Sequence, residues 1–179
     1  MITKATLEDI TALEKLINSA YRGETSKQGW TTEANLLKGK RITLDELSET
    51  IKNKNNTILK YTFENQIIGS VLLANKETKL YLGMLTVSPE LQNSGIGKKL
   101  LKEAEIHAVT LGLTKIIMTV ITVRAELIAW YNRHGYVDTG AREPFLLNDT
   151  DAIIANHPLE FIVLEKIIEP LKVQLSIVL

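Results

Sequence analysis

The run Gln92-Asn93-Ser94-Gly95-Ile96-Gly97-Lys98 is the stretch of this chain whose residue types and spacing best suit chemistry. It follows Leu85-Thr86-Val87-Ser88-Pro89, where Pro89 lacks the N–H that a continuing interior strand would need. It opens a helix near Ile96, with Leu100, Leu101, Ala104, Ala108 and Leu111 on one face and Lys98, Lys99, Lys102, Glu103 and Glu105 on the other. Two glycines let the main chain turn sharply and leave its surface bare. The N–H groups of Asn93 to Lys98 have no partner inside the following helix and lie at the positive end of its dipole. That combination suits a pyrophosphate. A P-loop is excluded, because Lys99 follows Gly97-Lys98 where Ser or Thr is needed and Gln92 replaces the first Gly. A dinucleotide fingerprint is excluded because Leu100 stands in place of its third Gly.

Other chemistries are narrowed by composition. Cysteine is absent, which removes disulfides, thiol nucleophiles and Cys-ligated metals. The three histidines, His107, His134 and His157, have no metal-ligand spacing, so no metal is expected. Lys+Arg and Asp+Glu are both 21, so no global field favours nucleic acid or a membrane, and a polyanion must meet a local site. No apolar stretch reaches the length of a membrane span, and the N-terminus has no signal-peptide run. The cytoplasm is the expected location.

The elements that must position the glycine corner follow from periodicity. Ile2 to Ala5 reads as a strand, and Thr6 caps a helix through Ile10, Leu13, Leu16, Ile17 and Ala20 that runs out near Gly23. Gly23 to Gly39 is irregular and polar, with Glu24, Trp30 and Glu33 as low-ranking candidates for acceptor contacts or a proton acceptor. Thr43 and Glu46 form a capping box for a short helix. The period then changes to two. Strands over 57–63, 67–74 and 79–87, joined by short turns, predict an antiparallel meander. After the loop helix, 114–121 is a dense β-branched strand, parallel to its predecessor because a helix crosses between them. A helix spans about 125–134, a strand starts at Tyr136-Val137, 140–158 is loop-rich, and 159–166 alternates as a final strand. Ile167 to Leu179 is an apolar tail without an assigned role.

The strand ending in Val-x-Pro, then Gln92-x-x-Gly95-x-Gly97, together with Trp130-Tyr131-Asn132-Arg133-His134-Gly135-Tyr136, resembles the GNAT superfamily of N-acetyltransferases. The likeness covers residues 1–166 as one domain, with 167–179 outside it. It implies a mixed α/β (α+β) fold with a mainly antiparallel sheet of six or seven strands. That sheet is splayed between the fourth and fifth strands and flanked by about four helices. It also implies acetyl-CoA as co-substrate and direct transfer of its acetyl group to a primary amine in a ternary complex. By the same resemblance the coenzyme meets Leu85, Thr86, Val87, Gln92, Asn93, Ser94, Gly95, Ile96, Gly97 and Lys98. Val120 and Ile121 floor the acetyl pocket, and Tyr131 donates a proton to the leaving thiolate. Where the family pattern has Asn seven residues before that Tyr, this chain has Arg124, able to reach phosphate or to lie on a solvated face; Leu127 replaces an Ala. The strand Tyr81-Leu82-Gly83-Met84 carries no carboxylate, so the proton acceptor stays unassigned. A small-molecule amine is the expected acceptor, its pocket drawn from 21–41 and the Arg142 to Asn148 loop, with Arg142, Glu143 and Phe145 as one wall. A homodimer through the final strands is a further expectation. The competing reading is a non-catalytic acyl-CoA sensor, motivated by the missing carboxylate.

Overall fold

The computed structural model describes residues 1–146 and 153–169. Seven strands are β1 (Ile2–Lys4), β2 (Asn56–Phe63), β3 (Gln66–Asn75), β4 (Leu80–Val87), β5 (Lys115–Ile121), β6 (Val137–Pro144) and β7 (Glu160–Ile167). Five helices are α1 (Ile10–Tyr21), the single turn α2 (Gly23–Ser26), α3 (Leu44–Lys52), α4 (Ile96–Thr110) and α5 (Ala125–Arg133). The sheet order is β1-β2-β3-β4-β5-β7-β6. Every neighbouring pair is antiparallel except β4 and β5, which are parallel.

That parallel pair is joined only at its beginning, Leu80 with Ile116 and Tyr81 with Ile117. Beyond Tyr81 the two strands part, which is the expected splay. On the other edge of β4, pairing with β3 is irregular between Ser70 and Leu72, opposite Met84, whose φ of 46° is rare for a side chain of that size.

Two cores flank the sheet. Leu13 and Ile17 of α1 and Leu47 of α3 pack with Ile58 on one face. Leu100, Leu101 and Ala104 of α4 pack with Val71, Leu73 and Leu82 on the other. Each such large side chain contributes about 1.5–3 kcal/mol on burial. The Thr43 capping box forms as expected: Thr43 N–H donates to Glu46 Oε2 at 2.8 Å, and Glu46 N–H donates back to Thr43 Oγ1 at 3.3 Å.

Three expectations are corrected. The helix expected from Thr6 starts as a 3₁₀ turn over Leu7–Asp9, and its α-helical part begins at Ile10. A one-turn helix, α2, lies inside the segment expected to be irregular. The loop-rich stretch begins later than Gly140, because β6 runs to Pro144 against β7. All eight residues of β6 are exposed, so it shows none of the apolar alternation by which strands are recognised. Residues 147 and 148 of the acceptor loop and 170–179 of the tail lie outside the described residues. Among the described residues no helix is long and apolar enough to cross a membrane.

The seating of α4 depends on Gly69 of β3. A Cβ there would lie 2.9 Å from Ile96 Cγ2 and 3.1 Å from Leu100 Cδ1. Gly69→Ala should therefore destabilise the fold by about 1–3 kcal/mol through overpacking, read as a lower urea midpoint.

Candidate active site

The glycine corner is built as the residue types require. Pro89–Leu91 forms a 3₁₀ turn after β4, and Ser94 Oγ donates to the Leu91 carbonyl. Asn93 and Gly95 both take left-handed backbone, with φ of 66° and 84°. Gly95 sits at the N-cap of α4, and nothing lies within 4 Å of where its Cβ would be. The first main-chain bond at this end of α4 runs from Lys99 N–H to Gly95 O at 3.1 Å. The N–H groups of Asn93 to Lys98 find no acceptor among the described residues. Six donors, a positive helix end and an open surface together make a phosphate cradle that a side chain at Gly95 would begin to fill.

Gln92 ties this corner to the polar segment after α2. Its Oε1 accepts from Trp30 N–H at 2.9 Å, while Nε2 donates to Thr31 Oγ1 at 2.8 Å and to Val87 O at 3.3 Å. Trp30 in turn tilts against Trp130 of α5, ring centroids 6.3 Å apart. A cavity of about 290 Å³ runs from the corner between these elements. Leu85, Val87, Gln92, Asn93, Gly95, Ile96, Gly97, Lys98, Arg124, Leu127, Trp30 and Tyr131 line it. Thr86 does not: its side chain is buried, with Oγ1 donating to Met84 O at 2.9 Å.

A second cavity of about 110 Å³ lies between the parting strands, lined by Glu33, Arg41, Tyr81, Thr119, Val120 and Ile121 among others. Tyr21, Leu85, Arg124, Leu127 and Tyr131 line both cavities. These five thus form the wall where the two spaces meet. Tyr21 Oη donates to Leu85 O at 2.8 Å, fixing the β4 edge that β5 has left. Tyr81 Oη and Thr119 Oγ1 meet at 3.0 Å where the strands begin to part.

Tyr131 is only 6% exposed, yet its hydroxyl has no hydrogen-bond partner among the described residues and is not sealed from solvent as that of Tyr136 is. Burial is the largest cause pushing its pKa well above the ordinary phenol value, with Tyr21 and Tyr136 adding and Arg124 opposing. The phenol therefore keeps its proton and has an unspent donor facing the junction.

Arg124 and Glu33 take positions that neither alternative for Arg124 anticipated. The guanidinium is not on a solvated face: its side chain is 10% exposed, with Nη1 on Glu33 Oε1 at 3.1 Å and Nη2 donating to Thr31 O at 2.6 Å. Glu33 Oε2 meets Arg22 Nη2 at 3.1 Å. Both carboxylate oxygens are thus engaged by guanidiniums, which leaves Glu33 poorly placed to accept a substrate proton. Burial lowers the pKa of Arg22; Glu33 opposes that fall, while Arg41 and Arg124 add to it. Glu24 points to solvent, paired with Lys27, and lines neither cavity. Val120 and Ile121 are core residues, 5% and 3% exposed, that also floor the smaller cavity. Arg142 and Glu143 are exposed on β6, and Phe145 packs on Phe161, so these three do not wall the smaller cavity; Phe161 does. Tyr21 and Arg41 are the two ends of the 21–41 segment expected to build the acceptor pocket, though neither was singled out, and Tyr81, Thr119 and Trp130 were not expected in the site. Of these three only Trp130 carried a signal, its place beside Tyr131 on the same helix.

Residues 22–145 match the acetyltransferase (GNAT) domain family. No curated protein matches the chain in sequence. Among solved structures, the ribosomal-protein-S18-alanine N-acetyltransferase of Escherichia coli is similar, with a TM-score of 0.71 at 14% identity, covering 94% of each chain. The PaiA N-acetyltransferase of Thermoplasma acidophilum, solved in complex with coenzyme A, superposes with a TM-score of 0.66 at 20% identity, covering 93% of this chain and 98% of that one. An acetyltransferase of the GNAT family from Streptococcus pneumoniae gives 0.65 at 18% identity, over 94% and 99% of the two chains. At these identities the likeness is one of fold.

Removing the carboxylate that holds Arg22 and Arg124 leaves two buried guanidiniums uncompensated. Glu33→Ala should cost about 3–5 kcal/mol of stability, measured by urea denaturation.

Proposed function

The chain belongs to the GNAT acetyltransferase family, and from that premise we propose that it moves the acetyl group of acetyl-CoA directly to a primary amine of a small molecule within a ternary complex. The observation that carries the reading is the Tyr131 hydroxyl, an unspent donor on the wall shared by two cavities. The larger cavity holds the coenzyme and the smaller one the acceptor.

The residues of the corner suit that assignment. Bare N–H groups from Asn93 to Lys98 bind the diphosphate, with the Lys98 ammonium beside them. The Leu85–Val87 edge of β4, released by β5, offers main-chain groups to the amide-rich pantetheine arm. Leu127 and Trp130 cover that arm from α5. Acetyl-CoA supplies the acetyl group activated as a thioester.

Transfer forms a C–N bond and breaks a C–S bond; the amine loses one proton and the departing thiolate gains one. Tyr131 supplies the proton to sulfur. A phenol is a weaker acid than a thiol by about 1.5 pKa units, roughly 2 kcal/mol, before burial widens the gap. The proton therefore moves as the C–S bond breaks rather than ahead of it. The acceptor must attack as a neutral amine, which for a lysine-like amine costs about 4–5 kcal/mol at neutral pH. With both oxygens of Glu33 engaged, water in the open cavity takes the amine proton. The neighbouring guanidiniums of Arg41 and Arg124 lower that cost by disfavouring an ammonium between them.

Three outcomes follow. Tyr131→Phe should lower kcat by about 100-fold or more while acetyl-CoA affinity, measured by calorimetry, is unchanged. Gly95→Ala should weaken acetyl-CoA binding about ten-fold, since a Cβ at a φ of 84° costs about 1–2 kcal/mol and crowds the cradle. A group whose pKa is raised is protonated below that value and lost only as pH rises through it. Tyr131 therefore gives no alkaline fall in kcat between about pH 7 and 9, while kcat/KM climbs as the free amine deprotonates. A pH–rate profile on the wild type checks this.

A further inference from the structure

The acceptor end of the passage holds a cation that the fold leaves uncommitted. Arg41 lines the smaller cavity and also an adjoining one of about 280 Å³ that opens toward α3. Its guanidinium stands 5.6 Å over the Tyr21 ring. Among the described residues it has no ion pair and no side-chain hydrogen bond; only its main-chain N–H is engaged, donating to Asn18 Oδ1 at 2.6 Å. Neither carboxylate nearby forms an ion pair with Arg41 among the described residues. Glu33 is held between Arg22 and Arg124. Glu46, across the outer cavity, has its Oε2 committed to the Thr43 main-chain N–H and hydroxyl at 2.8 and 2.9 Å.

Three guanidiniums, Arg22, Arg41 and Arg124, thus meet two carboxylates, Glu33 and Glu46, at this end, an excess of one positive charge, and Arg41 is the guanidinium without a side-chain partner among the described residues. A polyamine entering the smaller cavity would find its one carboxylate, Glu33, already engaged by guanidiniums. A planar guanidinium that keeps its charge at all working pH values matches a carboxylate or a phosphonate, bidentately. Stacked on Tyr21, it is also held in place before the acceptor arrives.

From this we infer that the acceptor is an amine that also carries an anionic group, an amino acid or an analogue of one, and that Arg41 is the residue that selects it by pairing with that anion. The inference rests on the transfer reading above, at the acceptor end of the same passage. The amine then sits on the Tyr131 side of the smaller cavity, with the acid group toward Arg41 and the rest of the molecule in the outer cavity.

The test is a thiol-release assay with acetyl-CoA and the twenty L-amino acids, their C-terminal amides, and spermidine, run on the wild type, Arg41→Gln and Arg41→Lys. Acid and amide differ in amine basicity, but that difference cancels when their kcat/KM ratio is compared between wild type and variant. The acids of the preferred side chain should outrun spermidine, and their ratio to the amides should fall by about ten-fold or more in Arg41→Gln, mostly in KM, with part recovered in Arg41→Lys. Acetyl-CoA affinity by calorimetry should be equal in all three, which shows that the variants fold. Amides or spermidine turned over as well as the acids, or an acid-to-amide ratio untouched by Arg41→Gln, would overturn the inference and leave acetyl transfer standing. Thiol release with none of these amines, despite bound acetyl-CoA, would overturn both.

Discussion

Everything at the centre of this protein follows from the early end of one strand pairing. β4 and β5 share hydrogen bonds only at Leu80–Ile116 and Tyr81–Ile117. A parallel pair that continued to Val87 would be closed to any ligand, its amides spent on each other. By parting, the strands leave main-chain groups on the inner edge of β4 and make room for two cavities that share a wall. The irregular pairing at Met84 on the opposite edge accompanies the parting, and such local strain is found where backbone is held for a purpose. What fills the breach is side chains rather than strand: Tyr21 from α1, Tyr131 and Leu127 from α5, and Arg124 from the turn before α5.

Holding those side chains takes a second, polar structure. Glu33 gathers Arg22 and Arg124 from segments far apart in sequence, and Arg124 reaches on to the Thr31 carbonyl. Gln92 fastens the same polar segment to the glycine corner. The result is that the glycine corner, the Trp30–Thr31 segment beside the larger cavity and the Arg124 side of the smaller one are parts of one connected network. A buried carboxylate between two guanidiniums is a costly way to stabilise a fold. Its place beside the smaller cavity gives it a second effect, which is to occupy both oxygens of the one carboxylate that lines that cavity.

How much of this was legible in the sequence depended on whether the signal was local. Gly95 and Gly97 after Pro89 announced a bare corner because the needed conformation is written in residue type. The meander of β2, β3 and β4 was legible from period-two alternation and short turns, and the crossover through α4 fixed the parallel pair. β6 beyond Gly140 was not legible, since an edge strand exposed along its whole length has no apolar face to alternate. The ion pair of Arg124 was not legible for a different reason: its partner Glu33 lies 91 residues away, and ion pairs of that separation leave no trace in spacing. Tyr21 and Arg41 were legible only as the ends of a segment, and Tyr81 not at all, because their roles arise only when α1, β4 and the segment before α3 are brought around one gap.

On the proposed function, unpaired amides at the Gly95 corner and on the freed edge of β4 grip the coenzyme while the acceptor enters the smaller cavity. The most direct measurement of that grip is a backbone amide NMR titration of the ¹⁵N-labelled protein with coenzyme A. The amide resonances of residues 93–98 and of Leu85 and Val87 should shift together and saturably, with those of β6 and the outer edge at β1 unmoved. Saturable coenzyme A binding that leaves the 93–98 amides unshifted would contradict it.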